Sequence, residues 1–147
     1  MKEIESELIE IVNTSAPQLR KQSVQSWDFQ KAPGKWSKKE ILGHMIDSAA
    51  NNHQRFVRAQ TADKTPISYE GNDWVKAQSY TSAEIKTLIE LWINYNLHLA
   101  HVISKIPADK YAVLFNADAK EPVSLEWLVR DYVKHLEHHL RQILGQE

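Results

Sequence analysis

The chain contains no cysteine, which removes disulfides, thiolate zinc sites and any mechanism that uses a protein thiol as nucleophile. A thiol in its chemistry would have to come from outside. Glycine and proline are sparse, four and five in 147 residues, too few for a collagen or a turn-rich β-sandwich. With 42% hydrophobic and 25% charged residues, disorder is not indicated either. No apolar run approaches the ~18 to 20 residues of a membrane span. The polar opening Met1, Lys2, Glu3, Ile4, Glu5 lacks the apolar stretch of a signal peptide, so a cytoplasmic location is expected. An excess of one charge is also missing: 18 Lys plus Arg against 19 Asp plus Glu leave a net charge of −1. The broad attraction that dominates nucleic-acid binding is therefore absent, and no nucleic-acid or membrane partner is expected. The basic stretch 31–39 is interrupted by Pro33 and Gly34 and reads as a solvated loop. The length suits one domain, 1–147, large enough to bury its own core.

What is present is helical periodicity. Leu8, Ile11, Val12 and Leu19 recur at near-helical spacing over 4–23, with Pro17 expected to bend or break that helix. Ser37 stands three residues before Glu40 and just ahead of Ile41 and Leu42, a capping box that opens a second helix running to about residue 60. Thr81 and Glu84 repeat the signature, and Ile85, Leu88, Ile89, Trp92, Tyr95, Leu99, Val102 and Ile103 follow at three-and-four spacing as a third. From Ser124, a stripe of Leu125, Leu128, Val129, Tyr132, Val133, Leu136, Leu140 and Ile143 predicts a fourth, ending at Gly145. Two long connections remain, 61–80 with Tyr69, Trp74 and Tyr80 expected to pack by their rings, and 107–122. Four rods of about 30 Å can bury their stripes together only as an all-α four-helix bundle.

All seven histidines fall in these helices. His135 and His139 are four apart, on one face a turn from each other, the spacing with which a helix offers two imidazoles to one ion. His138 points elsewhere. Two imidazoles alone hold a divalent ion weakly, so a third ligand is needed, and His44 is the best candidate. It lies beside Gly43 and is lined on one side by Ser48, Asn51 and Asn52. Its place off the centre of the apolar stripe is equally that of an ordinary surface residue. His53, His98 and His101 are read as solvated or satisfied helix residues without a role. A metalloprotease helix would need Glu directly after the first His, where Leu136 stands, and the di-iron bundles need Glu-x-x-His, which does not occur. What remains is a single ion on nitrogen ligands, with positions open for water or substrate.

The run 35–56, which carries Trp36, Ser37, Glu40, Gly43, His44, Asp47, Asn51, Asn52, His53 and Arg55, resembles the second helix of the DinB-like, damage-inducible, metal-binding four-helix bundles. The segments 69–75 and 131–143 are similar to that family in the same order. The resemblance implies a bundle with crossed-over connectivity, often dimeric, and a three-histidine metal site that falls here on His44, His135 and His139. Relatives that transfer or isomerise with low-molecular-weight thiols such as bacillithiol, mycothiol or glutathione make a thiol-dependent S-transferase one expectation. A metal-dependent hydrolase is another, and a non-catalytic metal- or ligand-binding module the alternative.

In the enzyme reading the ion, Zn or Ni ahead of Fe, Co or Mn, activates a water or an external thiol against a small-molecule substrate. Asp47, one turn beyond His44, and Gln142, three after His139, are candidates to orient an imidazole or bound solvent. Asn52, Arg55, Trp74 and Tyr132 are candidates to line the pocket. A homodimer is expected from the resemblance alone.

Overall fold

The computed structural model describes residues 1–117 and 121–146. Its long helices are α1 (Lys2–Lys21), α2 (Lys38–Gln60), α4 (Ile85–Ser104) and α5 (Leu125–Leu144); a short α3 (Gly71–Gln78) precedes α4, and the strands β1 (Leu114–Phe115) and β2 (Val123–Ser124) precede α5. α1 packs on α4 and α5, and α2 also packs on α4 and α5. Helices consecutive in sequence, α1 with α2 and α4 with α5, are therefore diagonal partners rather than neighbours. The connections from α1 to α2 and from α4 to α5 therefore cross the ends of the bundle instead of turning back as tight hairpins.

Helix starts follow their caps. At α2 the Ser37 hydroxyl accepts from the Glu40 amide at 3.2 Å while the Glu40 carboxylate accepts from the Ser37 amide at 2.7 Å, the reciprocal box that the sequence predicts. At α5 the Ser124 hydroxyl accepts from Trp127 N at 3.1 Å. At α4 the expectation needs correction: the cap is Glu84, whose carboxylate takes the amide and hydroxyl of Thr87 at 2.7 and 3.0 Å. Thr81 instead sits in a 3-10 turn (Tyr80–Ser82), and its carbonyl accepts from the buried Lys39 ammonium at 3.2 Å. Pro17 does not break α1. The Asn13 carbonyl that loses its helical partner there is on the exposed side, where water can replace the bond.

The connection 61–80, expected as a loop, contains α3, because Gly71, Asn72 and Asp73 read as a turn while Glu70 caps the helix through the amide of Asn72. The connection 107–122 carries a 3-10 turn (Ala108–Lys110) and β1, which pairs antiparallel with β2 through Leu114 with Ser124 and Phe115 with Val123; residues 118–120 lie outside the described residues. One large cluster of buried side chains fills the bundle, with Trp27, Trp92, Tyr132, Phe56 and Phe115 its largest fully buried members.

Candidate metal centre

α2, which packs on α5, concentrates buried polar side chains more than the other long helices do among the described residues. On α2, His44, Asp47, Ser48, Asn51 and Asn52 are all buried, although none is apolar. The two asparagines answer some of their hydrogen-bonding need locally, Asn51 to the Asp47 carbonyl and Asn52 to the Ser48 carbonyl, each at 2.9 Å. His44 is only 8% exposed, so it is not the surface residue that helical arithmetic allowed. The face opposite an apolar stripe is solvated only when no other helix covers it, and here α5 does.

Three rings converge on the seam between α2 and α5. His44 Nε2 lies 3.4 Å from His135 Nε2, which lies 3.1 Å from His139 Nε2. Among the described residues they are the one group of three or more His, Cys, Asp or Glu whose ligand atoms all lie within 4.8 Å of one another. The fit to an ion can be tested on these distances. Nitrogens at 2.0–2.1 Å from a common ion, with angles between octahedral and tetrahedral, sit about 2.9 to 3.4 Å apart, and both separations fall in that range. The protonation state fits as well. Burial, then the neighbouring His139 and His135, lowers the His44 pKa to about 3. Burial, then His139 and His138, lowers that of His135 to about 4. His139 is lowered chiefly by burial, against a hydrogen bond to Gln142 that works the other way. All three are neutral at pH 7 and offer lone pairs to a cation.

The surroundings hold each ring. His139 Nδ1 donates to Gln142 Oε1 at 2.7 Å, which leaves the lone pair on Nε2, facing the other rings. Gln142 is itself oriented by donating to Nε2 of the exposed His138 at 3.3 Å. His44 is packed rather than bonded on its far side: Nδ1 is buried without a hydrogen-bond partner, and the Trp36 ring stands 4.7 Å away at 37°. A Cβ on Gly71 would come within 3.2 and 3.3 Å of two atoms of the His44 ring, so the start of α3 approaches closely because residue 71 is glycine. Gly43, the neighbour of His44, likewise permits a close approach, since a Cβ there would collide with the Tyr80 ring. The packing of Tyr80 over Gly43 brings its hydroxyl to Asp47 Oδ1 at 2.6 Å, where Gln78 Nε2 also donates at 2.7 Å. The other Asp47 oxygen is buried without a partner, and burial raises the Asp47 pKa. Asp47 thus ties α3 and the following turn to α2.

A cavity of about 320 Å³, in the size range of small-molecule sites, is lined at one end by His135, the one histidine of the trio it touches. Trp127, Asp131 and His135 succeed one another every fourth residue along α5, so the cavity runs down that helix to His135. Asn52 and Arg55 line it from α2 and Tyr132 from α5. The Arg55 guanidinium donates to the Ile67 carbonyl at 2.7 and 2.9 Å, and the Tyr132 hydroxyl to Asn96 Oδ1 at 2.5 Å. Trp74 is not among the lining residues; on α3 it stacks edge-on against Tyr69 at 5.4 Å. Helical spacing does not single out Tyr69, Trp36, Gly71 or His138. Tyr69 lines the cavity and hydrogen-bonds to Ser48, and burial raises its pKa above that of a free phenol. A helical period cannot reveal such residues, because each acts from a loop or through a neighbour.

Comparison with known proteins agrees with this architecture. A search among curated proteins returns no match. A solved structure of YfiT from Bacillus subtilis, described as "a probable metal-dependent hydrolase with an unusual four-helix bundle topology", superposes with a TM-score of 0.84 at 22% identity, covering 98% of this chain and 84% of that one. The crossed-over helix order found here is thus shared with an experimentally determined bundle. The sequence profile of the DinB superfamily matches residues 13–143, and the chain belongs to that superfamily.

Proposed function

We propose that this protein is a divalent-metal-dependent enzyme acting on a small molecule, with His44, His135 and His139 holding the ion. The observation that carries the reading is the convergence of three neutral imidazoles, with Nε2 of His135 lying 3.4 Å from that of His44 and 3.1 Å from that of His139, beside a cavity of about 320 Å³. When bound, such an ion lowers the pKa of a water or an external thiol and so supplies a nucleophile near pH 7. Three protein ligands leave coordination positions open, as catalytic rather than structural sites do.

The chain's own residues position and exclude. Gln142 sets the His139 tautomer, and Trp36 with Gly71 walls off His44. Tyr69, a phenol that stays protonated, is one hydrogen-bond donor on the cavity wall, beside Asn52 and Arg55. Hydrolysis is the first reaction to test, in keeping with the description of YfiT. Thiol transfer is the second, and the absence of cysteine makes its thiol an added co-substrate of low molecular weight. A homodimer and a cytoplasmic location belong to the same proposal and rest on family resemblance and composition.

The test is elemental analysis of tag-free protein, followed by turnover of an ester and amide panel and of thiol plus electrophile pairs, before and after chelation. One tightly held Zn or Ni per chain is expected, with activity lost on chelation and restored by the ion. Full activity in the stripped protein would end this mechanism. A tightly held metal with no turnover on any substrate would make the protein a binding module.

A further inference from the structure

A second group of imidazoles lies outside this centre. His53 is nine residues beyond His44 on α2, about 13 Å along the helix, and its ring meets that of His98 on α4 edge-on, centroids 5.2 Å apart. That separation equals the 5.2 Å between His44 and His135 in the buried trio. His101, one turn beyond His98, stacks against it at 6.4 Å. His53 is half-buried, whereas His98 and His101 are exposed. The Tyr95 hydroxyl lies 3.2 Å from His53 Nδ1. When Nδ1–H donates to that hydroxyl, the lone pair sits on Nε2, the arrangement a neighbouring donor or acceptor imposes on a metal-ligating histidine.

We propose that His53 and His98, joined by His101, form a second and weaker site for a borderline divalent transition ion such as Zn²⁺ or Cu²⁺ on the α2–α4 seam. Nitrogen donors without a carboxylate select such ions over Mg²⁺ or Ca²⁺. The group is not preformed as the buried trio is, since only that trio has all its ligand atoms within 4.8 Å among the described residues. Closure requires the exposed His101 ring to turn toward the pair. Ordering that side chain on binding costs conformational entropy, and this is why the second site is the weaker. Burial and the adjoining His98 lower the His53 pKa, so this ring is neutral at pH 7 and ready to ligate.

Calorimetric titration of Zn²⁺ into metal-stripped, tag-free protein decides the matter. Two binding classes are expected. His98→Ala, at an exposed position whose loss leaves the helical circular dichroism intact, should abolish the weaker class and leave the tight one. Tyr95→Phe should weaken the same class by about 10- to 100-fold, the usual effect of removing a partner that orients a ligand. A single class in the unmodified protein, or a weaker class that survives His98→Ala unchanged, overturns the second site. Loss of the tight class alone in His98→Ala would instead count against the His44 centre, because the two sites share no residue.

Discussion

Two seams of the same bundle use opposite chemistry. α1 and α4, which pack on each other, bury mainly apolar side chains, among them Ile4, Leu8, Val12 and Leu19 on one helix and Leu88, Ile89, Trp92, Leu99 and Ile103 on the other, with Ser15 and Asn96 the polar exceptions. Where α2 meets α5, His44, Asp47, Ser48, Asn51 and Asn52 are buried on the α2 side, with His135 and His139 half-buried on α5. Apolar burial contributes roughly 25 cal/mol per Å² and asks for no partner, whereas every buried polar atom destabilises the fold unless something answers it. The first seam stabilises the bundle, and the second depends on that stability to keep neutral imidazoles pointed at one place.

Acid should separate the two seams most strongly. In the metal-free fold His44 titrates at about 3 and His135 at about 4, while unfolded histidine titrates near 6.5. Both folded values are depressed. As pH falls below 6.5 the unfolded chain takes up protons that the folded chain refuses, so stability declines from about 6.5 down to 4 and then 3, and is full above 6.5. Urea midpoints of stripped protein measured from pH 7.5 to 4.5 should therefore fall more steeply for the unmodified chain than for a His44→Gln, His135→Gln variant. Parallel curves would mean that the rings are not buried as neutral groups.

The apolar seam should respond to truncation instead. Leu8 is fully buried, and Leu8→Ala should lower stability by about 2 to 5 kcal/mol. The metal bound per folded molecule should not change. His139→Ala should do the reverse, weakening the ion by more than the roughly 10- to 100-fold typical of losing only a supporting residue, while leaving the stripped protein's urea midpoint near its original value. Gln142→Leu tests that supporting step directly: a 10- to 100-fold loss of affinity is expected, because the 2.7 Å bond fixing the His139 tautomer goes. An affinity unchanged in Gln142→Leu would show that packing alone orients the ring.

The apolar seam is easier to read from sequence than the polar one. Stripes on the last two long helices and the Ser37 box follow from local periods and local hydrogen bonds, so neighbouring residues suffice to reveal them. His135 and His139 share a helix, and their spacing is visible for the same reason. His44 needed the third dimension: its polar neighbours look like a solvated face until α5 is laid over them. The short helix α3 was hidden behind Gly71, Asn72 and Asp73, which signal a turn, and the Glu84 cap behind a Thr81 that resembled a better one. Both differences flank the turn that Lys39 and Asp47 tie to α2.

Gly71 offers the finest probe of how tightly the polar seam is built. An added Cβ would stand 3.2 and 3.3 Å from two atoms of the His44 ring, closer than ordinary contact, so the ring or the start of α3 must yield by a few tenths of an ångström. Trp36 stands on the ring as well, leaving it little room to retreat. In Gly71→Ala the stripped protein should keep a urea midpoint close to the original, since alanine suits a helical first turn better than glycine and offsets some of the crowding. Metal affinity should drop by less than ten-fold, a smaller loss than in Gln142→Leu. An affinity equal to that of the unmodified protein would mean that α3 gives way and His44 is placed by the ion alone; a loss as large as that of His139→Ala would mean that displacement of a single ring is enough to dismantle the centre.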